Sequence, residues 1–303
     1  MFNATLRTRP HLALVSGLTA ITLATAAVSA ETLIVNPAAP GAFAEIQAAV
    51  DAAAPGDTIL VFTGTYAPVT IATNNLTIMA SNNQTPVVDA MGQDIAAVWV
   101  QSDGVTITGL TATNAGAPAG PFEPPAEDAF GFFVTGNNAF LRGNTASNSV
   151  FGFLLYTGDG HEVIQNTAIG NDFALALLDT SDNTVVNNEL SGNNIIGLFC
   201  TATFALAYGA NNNTFSNNNA SDNFIGIAMT FGTNNHFSGN TADRNSFDGI
   251  RVRAWAPNNV FTGNRSRDNG RFGVWLEPET ENSTFRGMVL TGNGAGASNI
   301  PLR

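Results

Sequence analysis

The chain has 303 residues, with 23 Asp and Glu against 11 Arg and no lysine, for a formal charge of −12. Such an acidic chain is a poor nucleic-acid binder, so no nucleic-acid partner is expected, and the single Cys200 excludes intramolecular disulfides. Residues 1–30 have the form of a Sec-type signal peptide: Arg7, Arg9 and His11 precede an apolar run, and Val28-Ser29-Ala30 reads as a cleavage site after Ala30. The remaining chain, 31–303, is expected to be secreted or periplasmic. It has no transmembrane segment once the signal is removed, because no later stretch is long and apolar enough to span a bilayer.

The first element after the signal is a predicted helix over 43–54, FAEIQAAVDAAA, with Phe43, Ile46, Val50 and Ala53 on one face and Pro-Gly-Asp as its stop. Short strands follow in TILVFTGTY, PVTI and LTIM. A helix over the open end of the first strand layer would block end-to-end association, which any repeat array must avoid.

From about residue 58 to 293 the chain repeats itself. Asn144, Asn166, Asn188, Asn218, Asn240 and Asn264 recur at spacings of 22, 22, 30, 22 and 24 residues. Three positions upstream of each stands an apolar residue, and eight or nine downstream stands Gly or Ala before an apolar-x-apolar strand. A period of about 22 residues in short strands means stacked rungs, each strand pairing in parallel with its copy ~4.8 Å away. The asparagines then form corner ladders, donating and accepting along their own column while tolerating a left-handed corner. Two departures from the period mark inserted loops, at about 115–130 and 201–211, which rise from opposite edges of one sheet.

The stretch AEIQAAVDAAAPGDTILVFTGTY resembles the opening of pectin lyase-like right-handed parallel β-helix proteins, among them pectinesterases, polygalacturonases and NosD-type copper-site assembly proteins. The later NN-x-F-x-x-N-x-A-x-x-N-x-x-x-G-I-x-L units resemble the repeat these families share. The resemblance covers nearly all of residues 31–303 and implies an all-β, right-handed, single-stranded parallel β-helix with an N-terminal capping helix. It implies little about activity, since this fold hosts many chemistries.

Strand alternation predicts which side chains cover the G-I-x-L sheet. One outward column runs Thr70, Trp99, Phe133, Leu154, Ala176, Phe199, Ala228, Arg251, Trp275; a second includes Thr135, Tyr156, Leu178, Thr201, Thr230, Arg253 and Glu277. Two readings stand. Either the inserted loops, with Phe122, Phe204, Leu206 and Tyr208, fold over this apolar strip, or Trp99, Phe133, Tyr156, Phe199 and Trp275 line a groove that stacks against sugar rings. A protein partner is a third occupant of the same face. Seven of the nine arginines after the signal lie between Arg244 and Arg286; Asp222, Arg244 and Asp268 share one corner position, and Asp243 with Arg267 forms a second pair of neighbours. Asp248, Arg251 and Arg253 lie on the sheet itself, with Arg271 and Glu277 on the next rung.

DGIRVR resembles the G-V-R-I-K segment by which polygalacturonases hold an acidic sugar, with Arg251 and Arg253 in the places of Arg and Lys. The G-D-D pair and G-H-G histidine of those enzymes are absent, and TGDGHEV, with Asp159 and His161, is placed on a turn. The resemblance implies a protein that binds, and as a lyase or hydrolase cleaves, an acidic polysaccharide, with Asp248, Arg251 and Arg253 as catalytic candidates. The alternative is a non-catalytic surface or periplasmic binding protein. No cofactor is expected: a lyase could use Ca²⁺ to hold the sugar carboxylate, but no motif supports it, and the histidines and methionines do not assemble a copper site.

Overall fold

The computed structural model describes residues 29–118, 129–202, 209–253, 255–278, 280 and 282–302. One rung shows the pattern: strands Phe140–Arg142, Thr145–Ser147 and Phe151–Tyr156 follow each other around a turn, and each pairs in parallel with its copies one rung before and after. The three strands belong to three sheets. Sheet 1 stacks eleven strands from Thr32–Val35 to Thr284–Arg286. Sheet 2 stacks five, from Gly64–Tyr66 to Thr167–Ile169, and continues as single bridges through Glu189, Asn219, Thr241, Arg265 and Val289. Sheet 3 stacks ten, from Val69–Ile71 to Gly296–Ser298. The chain is a parallel β-helix.

Three sharp corners per rung raise a physical problem: each turns polar backbone inward, where an unpaired N–H or C=O is costly. The sequence expectation was one asparagine that both ladders and adopts the left-handed backbone. The structure divides the work between two adjacent residues. In one rung the corners are Asp182–Asn183, Asn187–Asn188 and Gly192–Asn193; the first of each pair takes a φ of 59°, 57° or 70°, and the second is buried. Gly, Asn and Asp tolerate that backbone, which frees the second residue's amide.

The amide links four groups. Asn188 Oδ1 accepts from the Asn166 N–H at 2.8 Å and Asn166 Nδ2 at 3.1 Å, and Asn188 Nδ2 donates to the Val163 carbonyl at 2.8 Å and Asn218 Oδ1 at 2.9 Å. The expected ladder runs from Asn144 to Asn264 with Leu110 above it, as the spacing predicts. A second runs Asn171, Asn193, Asn223, Asn245, Asn269, Asn293; Ser149 heads it, and Asn148 beside it supplies the left-handed corner. A third, at the corner between sheets 3 and 1, runs Asn183, Asn213, Asn235, Asn259 and was not anticipated.

His161 heads that third ladder. It is fully buried, its Nδ1 accepts the Ala139 N–H at 3.1 Å and its own N–H donates to Asn183 Oδ1 at 2.8 Å. Burial lowers its pKa from 6.5 to about 4, only partly offset by the Gly158 backbone and the charges of Asp159 and Asp103. Inside the corners, identical side chains stack: the rings of Phe215, Phe237, Phe261 and Phe285 follow each other at 4.5, 4.6 and 4.7 Å. Cys200 is buried in register between Leu177 and Met229.

The N-terminal helix is shorter than predicted, Ile46–Ala52, with Ile46, Ala49 and Val50 against the first rungs. Phe43 pairs as an extended residue with Val35, and Ala53 is extended, so the chain enters and leaves the helix inside the expected span. Strand Thr32–Val35 was not anticipated; it starts sheet 1 beside Thr58–Val61. Residues 1–28 of the expected signal peptide lie outside the described residues.

Replacing Asn188 by Ala should cost about 3 kcal/mol in urea denaturation, because it strands the buried Asn166 N–H and removes the Asn188 Nδ2 bonds to the Val163 carbonyl and Asn218 Oδ1. Asn187→Gly, at the left-handed position beside it, should change stability by less than about 0.5 kcal/mol. The His161 pKa sets a pH dependence as well. Between about pH 6.5 and 4 the unfolded chain binds a proton that folded His161 does not, so stability falls by about 3 kcal/mol as pH drops through that window. His161→Asn, which restores the ladder amide, should remove that loss when unfolding is measured at pH 7.5 and at pH 4.5.

Candidate functional site

The outer face of sheet 3 departs from the polar surface expected of a solvated sheet. Register places Thr70, Trp99, Phe133, Leu154, Ala176, Phe199, Ala228, Arg251 and Trp275 in one column, in the predicted order. Tyr156, Leu178 and Thr201 follow in the second. Trp99, Phe133, Tyr156 and Phe199 are half-buried. Trp99 and Phe133 stack at 5.6 Å, Phe133 and Tyr156 at 6.2 Å. Trp99 Nε1 donates to Thr135 Oγ1 at 3.3 Å, fixing the indole.

Alternation missed a third outward column. Phe130, Phe151, Phe173, Ile196 and Ile225 immediately precede the small residue of each strand and align across the rungs. Phe130 stacks on Phe133 at 4.5 Å and Phe151 on Phe173 at 4.6 Å. The small residue is the reason: at Gly152 and Gly197 a Cβ would meet a neighbouring backbone oxygen at 2.6 and 2.9 Å, so the glycine bends the strand and turns its predecessor outward. Large apolar residues directly before the small residue of each rung were the available signal. A cavity of 460 Å³ opens at one end of the strip, bounded by Pro68, Thr70, Asp94, Ile95, Trp99 and Phe133.

Most of both expected insertions, 119–128 and 203–208, lies outside the described residues; in the chain one precedes strand Phe130–Val134 and the other follows strand Ile196–Thr201. Phe122, Phe204, Leu206 and Tyr208, expected to fold over the strip, lie outside the described residues.

At the other end the rings give way to guanidinium groups. Asp248 is fully buried; its Oδ1 accepts from Arg271 Nε at 2.8 Å and from the Phe272 N–H at 3.2 Å, and Arg271 Nη2 closes a bidentate pair on Oδ2. Asp248 stands in the third column and acts as the anchor that holds Arg271 flat over Phe247, 4.0 Å from the ring centroid. With both oxygens engaged and no exposure, the carboxylate does not face solvent as an acid or base. Arg253 is half-exposed and pairs with Glu277 at 3.2 Å.

Arg251 differs from its neighbours. Among the described residues it has no ion pair, and its guanidinium lies over Trp275 at 4.5 Å with Phe247 at 5.6 Å. Its Nε is buried without a hydrogen-bond partner. Burial lowers its pKa, partly countered by Asp248 and lowered further by Arg271 and Arg253; a guanidinium nonetheless stays charged. The result is a cation held against an indole beside the aromatic strip.

Arg244, Arg265 and Arg267 serve the scaffold. Arg244 pairs with Asp222 at 2.6 Å on the surface. Asp243 is buried and takes Arg267 at 3.2 Å, with Arg265 at 2.8 Å added to the expected pair. Among the described residues no three His, Cys, Asp or Glu side chains gather as metal ligands, and no helix is long and apolar enough to cross a membrane.

A family model described as "Right handed beta helix region" matches residues 69–207 and 203–300. Solved structures with similar folds include the A-module of the mannuronan C-5 epimerase AlgE4 from Azotobacter vinelandii, at 14% identity over 84% of this chain and 92% of that one, TM-score 0.56. Pectate lyase Pel9A aligns at 17% identity over 90% of this chain and 83% of that one, TM-score 0.58, and the Dettilon tailspike protein at 16% over 89% and 60%, TM-score 0.57. No curated protein sequence matches.

The two ion pairs on sheet 3 should respond differently to truncation. Arg271→Ala leaves Asp248 buried and uncompensated and should cost about 3 kcal/mol in chemical denaturation. Arg253→Ala breaks a largely solvent-screened pair and should cost less than about 1 kcal/mol.

Proposed function

The chain belongs to the right-handed β-helix family, and we propose that it is an exported protein whose sheet 3 face binds an acidic polysaccharide. The observation that carries this reading is Arg251: an unpaired guanidinium, packed on Trp275 and continuous with a strip of rings. A sugar carboxylate would satisfy its open N–H groups through charge-assisted hydrogen bonds, while Trp275, Phe199, Tyr156, Phe133 and Trp99 offer flat surfaces to pyranose rings. Arg253, already neutralised by Glu277, and Arg271, held by Asp248, set the local field around that cation. The surrounding surface of an acidic chain repels polyanions, so this patch is where one would be steered. Two of the fold relatives carry names for action on pectate and on mannuronan, which motivates the choice of ligands.

Cleavage is the second reading, and Asp94 favours it. With Asp248 committed to Arg271, Asp94 is an exposed carboxylate at the mouth of the aromatic cavity beside Trp99, where it could serve as the base that an elimination or hydrolysis requires. Growth of absorbance at ~235 nm on pectate or alginate, abolished by Asp94→Asn, would establish it.

Binding is tested by Arg251→Ala. Affinity for pectate or alginate should fall by roughly 10–100-fold, the worth of a charge-assisted hydrogen bond to a carboxylate, while Tm stays nearly unchanged. Unaltered affinity in that variant, or failure of the parent to bind any acidic polymer, overturns the reading.

A further inference from the structure

We infer that Phe231 and Trp255 form a second, ring-stacking subsite for the same polysaccharide, at the edge of sheet 3 beyond Arg253; this rests on the reading of sheet 3 as the binding face. The two rings belong to consecutive rungs and stack at 4.9 Å with planes 9° apart. Trp255 is 60% exposed. Phe231 backs one face of the indole, and the exposed part of Trp255 offers solvent a rigid apolar surface of the kind the C–H face of a pyranose ring packs on.

The backbone beneath the rings singles them out. Among the described residues 21 non-glycine positions have positive φ, and 15 of them are Asn or Asp, the types that tolerate it. Phe231 and Trp255, at φ 52° and 59°, are the two aromatic exceptions. An aromatic residue gains nothing locally from that backbone, and a bulky side chain is disfavoured in it. What the conformation does supply is placement: it fixes both side chains on a rigid corner, so that a ring arriving there meets a surface already in position. One extra residue between Val252 and Trp255, relative to the rung before, brings Trp255 over Phe231.

Position and charge name the occupant. Trp255 stands two residues after Arg253 and four after Arg251, so at full extension it lies within ~14 Å of Arg251. That reach spans a few sugar units of one chain. A polymer whose carboxylate is held by Arg251 would pass Arg253 and lay a later ring on Trp255. A short ligand held at Arg251 would not reach it.

The length dependence is the test. Binding of oligogalacturonate and oligomannuronate dimers and pentamers is measured by calorimetry for the parent, Arg251→Ala, the double variant Phe231→Asn with Trp255→Asn, and Trp255→Tyr. The double variant should lose about tenfold in pentamer affinity, the worth of one aromatic stack, and leave dimer affinity unchanged. Trp255→Tyr should retain most of the pentamer affinity. Because Asn suits the left-handed corner, the Tm of the double variant should stay within about 2 °C of the parent or rise. Pentamer affinity equal to the parent's in the double variant overturns the subsite and leaves the Arg251 reading standing if Arg251→Ala still loses affinity. Equal losses for dimer and pentamer also overturn it, since the pair would then act through the Arg251 site. No binding of either oligomer by the parent overturns both.

Discussion

The fold depends on one recurring interaction, a buried amide that satisfies four polar groups at a corner. A parallel β-helix has no long-range hydrophobic layer to impose its shape; each rung touches only its neighbours. Turning the chain three times per rung with turns this tight brings backbone N–H and C=O groups into the interior at every corner. The asparagine carboxamide offers both donor and acceptor on a short side chain, and stacking it on its own copy lets one residue type serve successive rungs from Asn144 onward. Three such ladders run along the molecule, and the sheets and aromatic stacks between them follow from the register the ladders hold.

That arrangement also explains how an acidic, lysine-free chain carries a local cationic patch. The scaffold leaves outward positions of sheet 3 free of structural duty, so they can hold rings over most of its length and guanidiniums near one end. Burying Asp248 beneath Arg271 fixes one of those guanidiniums over Phe247. Arg251 is then left without an acidic partner, its positive charge supported by Trp275. A carboxylate expected to act on a ligand instead organises the cations around it.

The corners illustrate a further division of labour. The residue before each ladder position absorbs the left-handed backbone, and its side chain projects outward. Where it is Gly, Asn or Asp the corner is quiet, and where it is Arg244 it reaches Asp222. Phe231 and Trp255, four residues before the ladder positions Asn235 and Asn259, take the same left-handed backbone and build a ring pair.

Much of this was legible in the sequence because a repeat writes its register directly into spacing. The Asn144–Asn264 ladder, the rung length, the sites of both insertions and the outward column from Thr70 to Trp275 follow from counting residues, since strands stacked in register must align what the period aligns. The third ladder escaped notice because Asn183 and its copies merge with neighbouring asparagines, and composition does not say which of two adjacent amides faces inward. What only the tertiary structure decided was pairing between rungs. Asp248 and Arg271 lie 23 residues apart, and His161, on the turn where spacing placed it, is a buried ladder head. Whether a charge is spent on a neighbour or left facing solvent depends on side-chain direction and burial, which spacing along the chain does not encode.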